Sequence, residues 1–164
     1  MFAYLKWAGA GIILLCALFV GRDYSAYVKK RLSEYRGFLA FVLHIESMIS
    51  RFLTPQESIL QNFSDEALEK CGFLPAIRSG KSLSEAFEAC KPSLSLSDDL
   101  KGRLGKFFHG FGGEYLDGEI SRASDFRSEL ETGLKKEESE LEKGLKITNA
   151  LLLGGAVGIV ILMI

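Results

Sequence analysis

GEISRASDFRSELETGLKKEESELEKGLKITNALLLGGAVGIVILMI, residues 118–164, holds one helical pattern from end to end. Ile120, Ala123, Leu130, Leu134, Leu141, Leu145 and Thr148 mark a narrow apolar stripe. Around it, ETGLKKEESELEKGLK supplies a charged surface with opposite charges four residues apart, the spacing that brings side chains together on a helix. The charge then stops. Ile147 to Ile164 are 18 residues without a charged side chain, and at about 1.5 Å per residue such a helix spans roughly the hydrocarbon core of a bilayer. The stretch reads as one long helix, charged in its first part and membrane-spanning in its last.

The opposite end of the chain mirrors it. FAYLKWAGAGIILLCALFVG, residues 2–21, places Lys6 before an apolar stretch from Trp7 to Val20. The layout matches a secretory signal, but Phe19 and Val20 occupy positions where a cleavage site needs small residues, so the segment is expected to be retained as an anchor. Arg22, Lys29, Lys30, Arg31 and Arg36 follow the first span, and Lys135, Lys136, Lys143 and Lys146 precede the second. By the positive-inside rule the middle of the chain faces the cytoplasm. The expected organisation is an amino-terminal anchor at 1–21, a cytoplasmic helical domain at 22–146 and a closing membrane helix at 147–164.

All 21 acidic residues, and every basic residue but Lys6, lie in the middle segment. No face collects the excess of Lys and Arg that phosphate neutralisation requires, so nucleic acid is not an expected partner. The three cysteines, Cys16, Cys71 and Cys90, fit a reducing compartment. A Cys71–Cys90 disulfide is allowed by count and disfavoured in a cytoplasm.

Helical spacing continues through the middle. Tyr35, Phe38, Val42, Ile45, Ile49 and Phe52 step by three and four, extending the first anchor into a long helix. Thr54-Pro55-Gln56-Glu57 predicts a new helix carrying Ile59, Leu60 and Phe63, with Thr54 as cap and Pro55 in the first turn. Ser64-Asp65-Glu66 starts another with Ala67, Leu68 and Cys71, and Phe73 to Ile77 forms a further apolar turn. Ser82 and Glu85 make a capping box ahead of Leu83, Ala86, Phe87 and Cys90, and Pro92 ends that helix. From about Asp98, Leu100, Leu104, Phe107, Phe108 and Phe111 form a dense apolar face that Gly112-Gly113 stops. No segment alternates with period two, so the class is all-α, with the two long helices antiparallel.

Chemistry is sparse. Ser79-Gly80-Lys81-Ser82 imitates the end of a phosphate-binding loop, but Pro75 stands where the first glycine is needed and no strand precedes it. A turn between two helices is the expected role. His44 and His109 have no Cys, His or carboxylate partners at ligand spacing, and Asp98-Asp99 and Glu137-Glu138 read as solvated faces. No catalytic residue, cofactor site, metal site or small-molecule substrate is expected. Phe107, Phe108, Phe111 and Tyr115 fit the domain's own core better than a partner surface.

The order of these parts resembles stage III sporulation protein AB, a family of endospore-forming bacteria with a membrane helix at each end. The resemblance rests on RLSEYRGFLAFVLHIESMISRFLTPQESIL at 31–60, SGKSLSEAFEAC at 79–90, LSLSDDLKGRLGKFFHGFGG at 94–113 and the charged helix that runs into LLLGGAVGIVILMI. At the turn into that helix the family carries a Phe-Gly, Leu-Gly, Asp and Gln series. Here Phe111-Gly112 and Leu116 match, Asp117 replaces the second glycine, and Ser121 and Arg122 lie where the Gln would be.

The resemblance implies a helical bundle like the cytoplasmic domain of type II secretion system F proteins. It implies a non-enzymatic platform component of the channel complex in the mother-cell membrane around the forespore. The partners it implies are a cytoplasmic secretion-type ATPase, other membrane proteins of that complex and the lipid bilayer. Contacts are expected on the charged faces of the long helices and at the turn, through Phe111, Gly112, Tyr115, Leu116 and Glu119. The alternative is a membrane-anchored helical signalling adaptor. That would need sustained heptads and a symmetric seam, and Arg127 and Glu137 interrupt the stripe.

Overall fold

A computed structural model of the chain describes residues 2–52, 63–112 and 116–163, with side chains described except at 2–8, 10, 13, 14, 51, 52, 116, 117, 160, 162 and 163. Six α-helices occupy the described residues: α1 Phe2–Phe52, α2 Glu66–Lys70, α3 Phe73–Arg78, α4 Leu83–Cys90, α5 Asp98–Gly110 and α6 Leu116–Met163. A 3-10 turn, Lys91–Ser93, follows α4 with Pro92 in it. No strand occurs among the described residues, and the chain is all-helical as the periodicity predicts. The helix expected from Thr54 lies outside the described residues.

The short helices start where local chemistry starts them. Asp65 caps α2 by accepting from the Leu68 amide at 3.0 Å. Ser82 accepts from the Glu85 amide at 3.2 Å while Glu85 accepts from the Ser82 amide at 2.9 Å, completing the capping box of α4. Ser97 caps α5. Each cap satisfies amide donors that the first turn of a helix leaves unbonded.

Lys30–Lys135 forms one compact unit. Its core gathers Tyr35, Phe38, Phe41, Val42 and Ile45 from α1 with Leu68, Phe73, Leu74, Phe87, Leu100, Leu104 and Phe108 from the short helices, and Ala123, Phe126 and Leu130 from α6. Phenyl rings dominate it. Phe38 meets Phe73 edge-on at 5.2 Å and Phe87 at 5.7 Å, Phe41 meets Phe73 at 5.2 Å, and Phe108 lies 5.4 Å from both Phe73 and Phe87. Edge-to-face packing of this kind adds to the large apolar area that aromatic rings bury.

Two glycines let helices approach closely in this unit. A Cβ on Gly37 would come within 2.7 Å of Asp65 Oδ1 and 3.1 Å of Leu68 Cγ, so α2 sits directly on the α1 backbone. A Cβ on Gly133 would meet the hydroxyl of Tyr35 at 2.5 Å, and Tyr35 is itself buried. Across the unit, the Arg127 guanidinium of α6 pairs with Glu46 of α1 at 2.8 Å and with Glu131 at 2.9 Å. With Tyr35 against Gly133 and Glu46 against Arg127, α1 and α6 run antiparallel here.

Met1–Lys29 and Lys136–Ile164 form the second unit. Gly21 faces Asn149 and Leu152, and Gly144 faces the Tyr24 hydroxyl, so these segments are also antiparallel. Its surface is charged along 136–146 and apolar toward the chain ends, where Ile12, Leu15, Leu18, Phe19, Val20, Ile147, Leu151, Leu153, Val157, Ile159 and Ile161 are all exposed, Leu151 by 70%.

Among the described residues no helix is long and apolar enough to cross a membrane. The apolar stretch of α6 with continuously described side chains runs from Ile147 to Ile159, about 20 Å of helix against roughly 30 Å of hydrocarbon core. The spans expected at 1–21 and 147–164 fall partly on side chains outside the described set.

The close approach at Gly37 reverses an ordinary rule. Replacing a mid-helix glycine by alanine gains up to about 1 kcal/mol of helix propensity, and Gly102 on α5 has open space for the methyl. Denaturant unfolding is expected to show Gly102→Ala more stable than wild type by about 0.5–1 kcal/mol. Gly37→Ala is expected to be less stable by about 1–3 kcal/mol through overpacking. A stabilising Gly37→Ala would contradict the α1–α2 contact.

Candidate functional site

The turn between α5 and α6 is built around one buried carboxylate. Helix α5 ends at Gly110, Phe111 is extended, and Gly112 takes a left-handed φ of 88° that side chains rarely adopt. Glu119, only 6% exposed, reaches back from the first turns of α6 and accepts from the Gly112 amide at 3.0 Å. Its other oxygen lies 3.6 Å from Arg122. Arg122 in turn donates to the Phe107 carbonyl at 3.2 Å, with its guanidinium 5.6 Å above the Phe107 ring. The acid therefore fixes the backbone at Gly112, and the arginine ties α6 to the end of α5.

Of the residues expected at this surface, Phe111 is half-buried and 6.0 Å from the Phe107 ring, Gly112 is exposed, and Glu119 is buried in the turn. Leu116 is the first residue of α6. Tyr115 and the Leu116 side chain lie outside the described residues. Phe107 and Phe108 belong to the core, as their spacing predicts, and Phe107 stacks on Phe126 at 4.4 Å.

Beside this turn, Arg103, Lys106, Phe107, Arg122, Phe126 and Glu129 line an open groove of about 390 Å³ between α5 and α6. Arg103 crosses its floor, pairing with Glu129 at 2.6 Å and with Asp99 at 2.9 Å. Both signs of charge are present, so the groove concentrates no field for an anion.

A second buried carboxylate does for the 91–97 loop what Glu119 does for the turn. Glu34, 2% exposed on α1, accepts from the Ser95 amide at 2.6 Å, and Lys30 donates to the Ser93 carbonyl at 3.1 Å while lying 3.7 Å from Glu34 Oε1. Burial pushes the Glu34 carboxyl above its ordinary value, and the Ser95 hydrogen bond and Lys30 oppose that rise only in part. Glu34, Lys30, Ser33, Lys70, Cys71 and Ser93 line a cleft of about 360 Å³. Sequence reading missed this clasp. Its only signal was an acid four residues before Phe38 on the apolar stripe, since the partner amide lies 61 residues away.

Residues 79–82 form the turn between α3 and α4, with the Gly80 amide bonded to the Ile77 carbonyl and Ser82 capping α4. His109 is exposed, and His44 packs its ring 5.2 Å from Phe63. Among the described residues no group of His, Cys, Asp and Glu is placed to hold a metal ion.

The fold defines a class: a small helical bundle whose first and last helices are long, with exposed apolar side chains toward the two chain ends. The chain belongs to the stage III sporulation protein AB family, whose sequence profile matches residues 6–164. Its role is accordingly in stage III of sporulation. No match is found among curated proteins or among solved structures.

The Glu34 clasp makes stability depend on pH in a defined direction. A carboxyl with a higher pKa folded than unfolded binds more protons in the folded chain. Stability is then greatest below the ordinary carboxylate pKa and falls as pH rises through the raised value. Glu34→Gln keeps an acceptor for the Ser95 amide and removes the titration. Relative to that variant, wild type is expected to lose stability steadily in denaturant unfolding as pH rises from about 4 to 8. A difference that is flat or grows over that range would contradict the assignment.

Proposed function

We propose that this protein is a membrane platform component of the mother cell to forespore channel complex, with no catalytic role of its own. In this reading its helical bundle faces the cytoplasm and couples a secretion-type ATPase to the membrane channel. The observation that carries it is the contrast between the two ends of α1 and α6. Among the described residues, the large apolar side chains within Lys30–Lys135 are buried or half-buried except Leu43, whereas those of 12–20 and 147–161 are mostly exposed. Exposed apolar area on that scale needs a non-aqueous neighbour. A bilayer supplies one, with 1–21 and 147–164 as spans.

Membership of the sporulation family supports the setting. The charged outer faces of α1 and α6, the Arg103 groove and the turn at Phe111 to Glu119 are the surfaces offered to the ATPase and neighbouring membrane proteins.

The test is recruitment. In sporulating cells, a chain lacking residues 22–146 but keeping both apolar ends is expected to sediment with membranes and to lose the ATPase from its pull-downs. Equal recovery of the ATPase with and without the bundle would overturn the coupling role. Release of the full chain from membranes by alkaline carbonate would overturn the spans.

A further inference from the structure

Gly21 of α1 lies so close to α6 that a Cβ there would come within 3.3 Å of Asn149 Oδ1 and 3.7 Å of Leu152 Cδ1. Beside that contact the two helices leave an open groove of about 290 Å³. Its lining is sorted by chemistry along the helices. Arg22, Ser25 and Asn149 lie toward the charged part of the unit, and Leu18, Leu152 and Leu153 toward the chain ends. Among the described residues no acid lines it.

The polar groups of the groove have bonding capacity to spare. Among the described residues neither Arg22 nor Asn149 has a hydrogen-bond or ion-pair partner. Ser25 donates its hydroxyl to the Gly21 carbonyl at 2.8 Å, which leaves its oxygen able to accept. Asn149 is half-buried within the 18-residue run that carries no charge, and a carboxamide in apolar surroundings is costly until something bonds it. Arg22 is exposed, and its guanidinium presents a planar fork of donors that matches phosphate oxygens.

We propose that this groove binds one anionic phospholipid of the bilayer, its phosphate held by Arg22 and Asn149 and one acyl chain laid along Leu18, Leu152 and Leu153. The inference rests on the reading of 1–21 and 147–164 as spans, which sets Arg22 just past the end of the first and Asn149 near the start of the second, where headgroups meet acyl chains. Charge complementarity selects the lipid. The groove supplies a cation and no acid, which suits a headgroup whose phosphate charge is uncompensated, whereas a zwitterionic headgroup brings a cation of its own against Arg22. Ser25 and the Asn149 carbonyl oxygen are left to accept from headgroup hydroxyls. A lipid so held touches both helices beside their contact at Gly21 and satisfies the Asn149 carboxamide that the protein leaves unbonded.

The test reconstitutes the full chain in vesicles of one part dioleoylphosphatidylglycerol to nine parts dioleoylphosphatidylcholine, re-extracts it in mild detergent and measures the retained lipids by mass spectrometry. Phosphatidylglycerol is expected to be enriched about fivefold over its share of the vesicles, the factor that one basic contact supplies. Arg22→Gln is expected to return the ratio close to that of the vesicles, and Asn149→Leu to lower it. Lys29→Gln, whose cation lies outside the groove, is expected to leave it unchanged. Equal loss in Arg22→Gln and Lys29→Gln would assign the preference to diffuse charge and overturn the site. So would a wild-type chain that retains both lipids in the vesicle ratio, or one that dimerises with the groove free of lipid. Alkaline carbonate separates these failures from that of the spans: a chain that resists it and shows no enrichment overturns the site alone, and a chain that it releases from the vesicles overturns the spans and the site with them.

Discussion

Phe38 and Phe41 from α1, Phe73 from α3, Phe87 from α4 and Phe108 from α5 pack ring against ring, and the bundle depends on that contact. Helix α2 has 5 residues, α3 has 6 and α4 has 8, lengths at which an isolated helix does not hold itself in water. They exist because the rings they carry, or the residues beside them, dock onto α1. Phe108 touches Phe38, Phe41, Phe73 and Phe87 and so closes the cluster from the α5 side. Helix α6 then covers the edge, with Phe126 stacked on Phe107.

Polar groups decide the details that apolar packing leaves open. Rings and aliphatic side chains bring helices together without fixing loops, and here two buried glutamates do the fixing, Glu34 for the 91–97 loop and Glu119 for the α5–α6 turn. A buried carboxylate is costly unless hydrogen-bonded and near positive charge. Each has a backbone amide and a basic neighbour, Lys30 in one case and Arg122 in the other.

Much of the fold was legible from residue spacing because helix caps and apolar stripes are local. Ser82 and Glu85 are three residues apart, and their capping box is present as the spacing predicts. The stripe from Tyr35 to Ile49 lies on the buried face of α1. What spacing did not reveal was pairing between distant elements. Arg127 reads as an interruption of the α6 stripe, yet it is the ion-pair partner of Glu46 on α1. Glu34 stands one position before Tyr35 of the apolar stripe, and its amide partner is 61 residues on. Of the expected contact residues, Glu119 carries no local mark of burial, because its role depends on where the Gly112 amide ends up.

The two long helices are the link between the bundle and its proposed setting, since each belongs to both compact units of the chain. Cys16 provides a direct probe of that setting, because it is exposed on the surface of the apolar unit. In membranes from cells making the full chain, its alkylation by a charged, water-soluble maleimide and by an apolar, lipid-soluble one are the rates to compare. Burial of the apolar ends in the bilayer predicts that Cys16 reacts with the apolar reagent and resists the charged one. Rapid labelling of Cys16 by the charged reagent in intact membranes would contradict it.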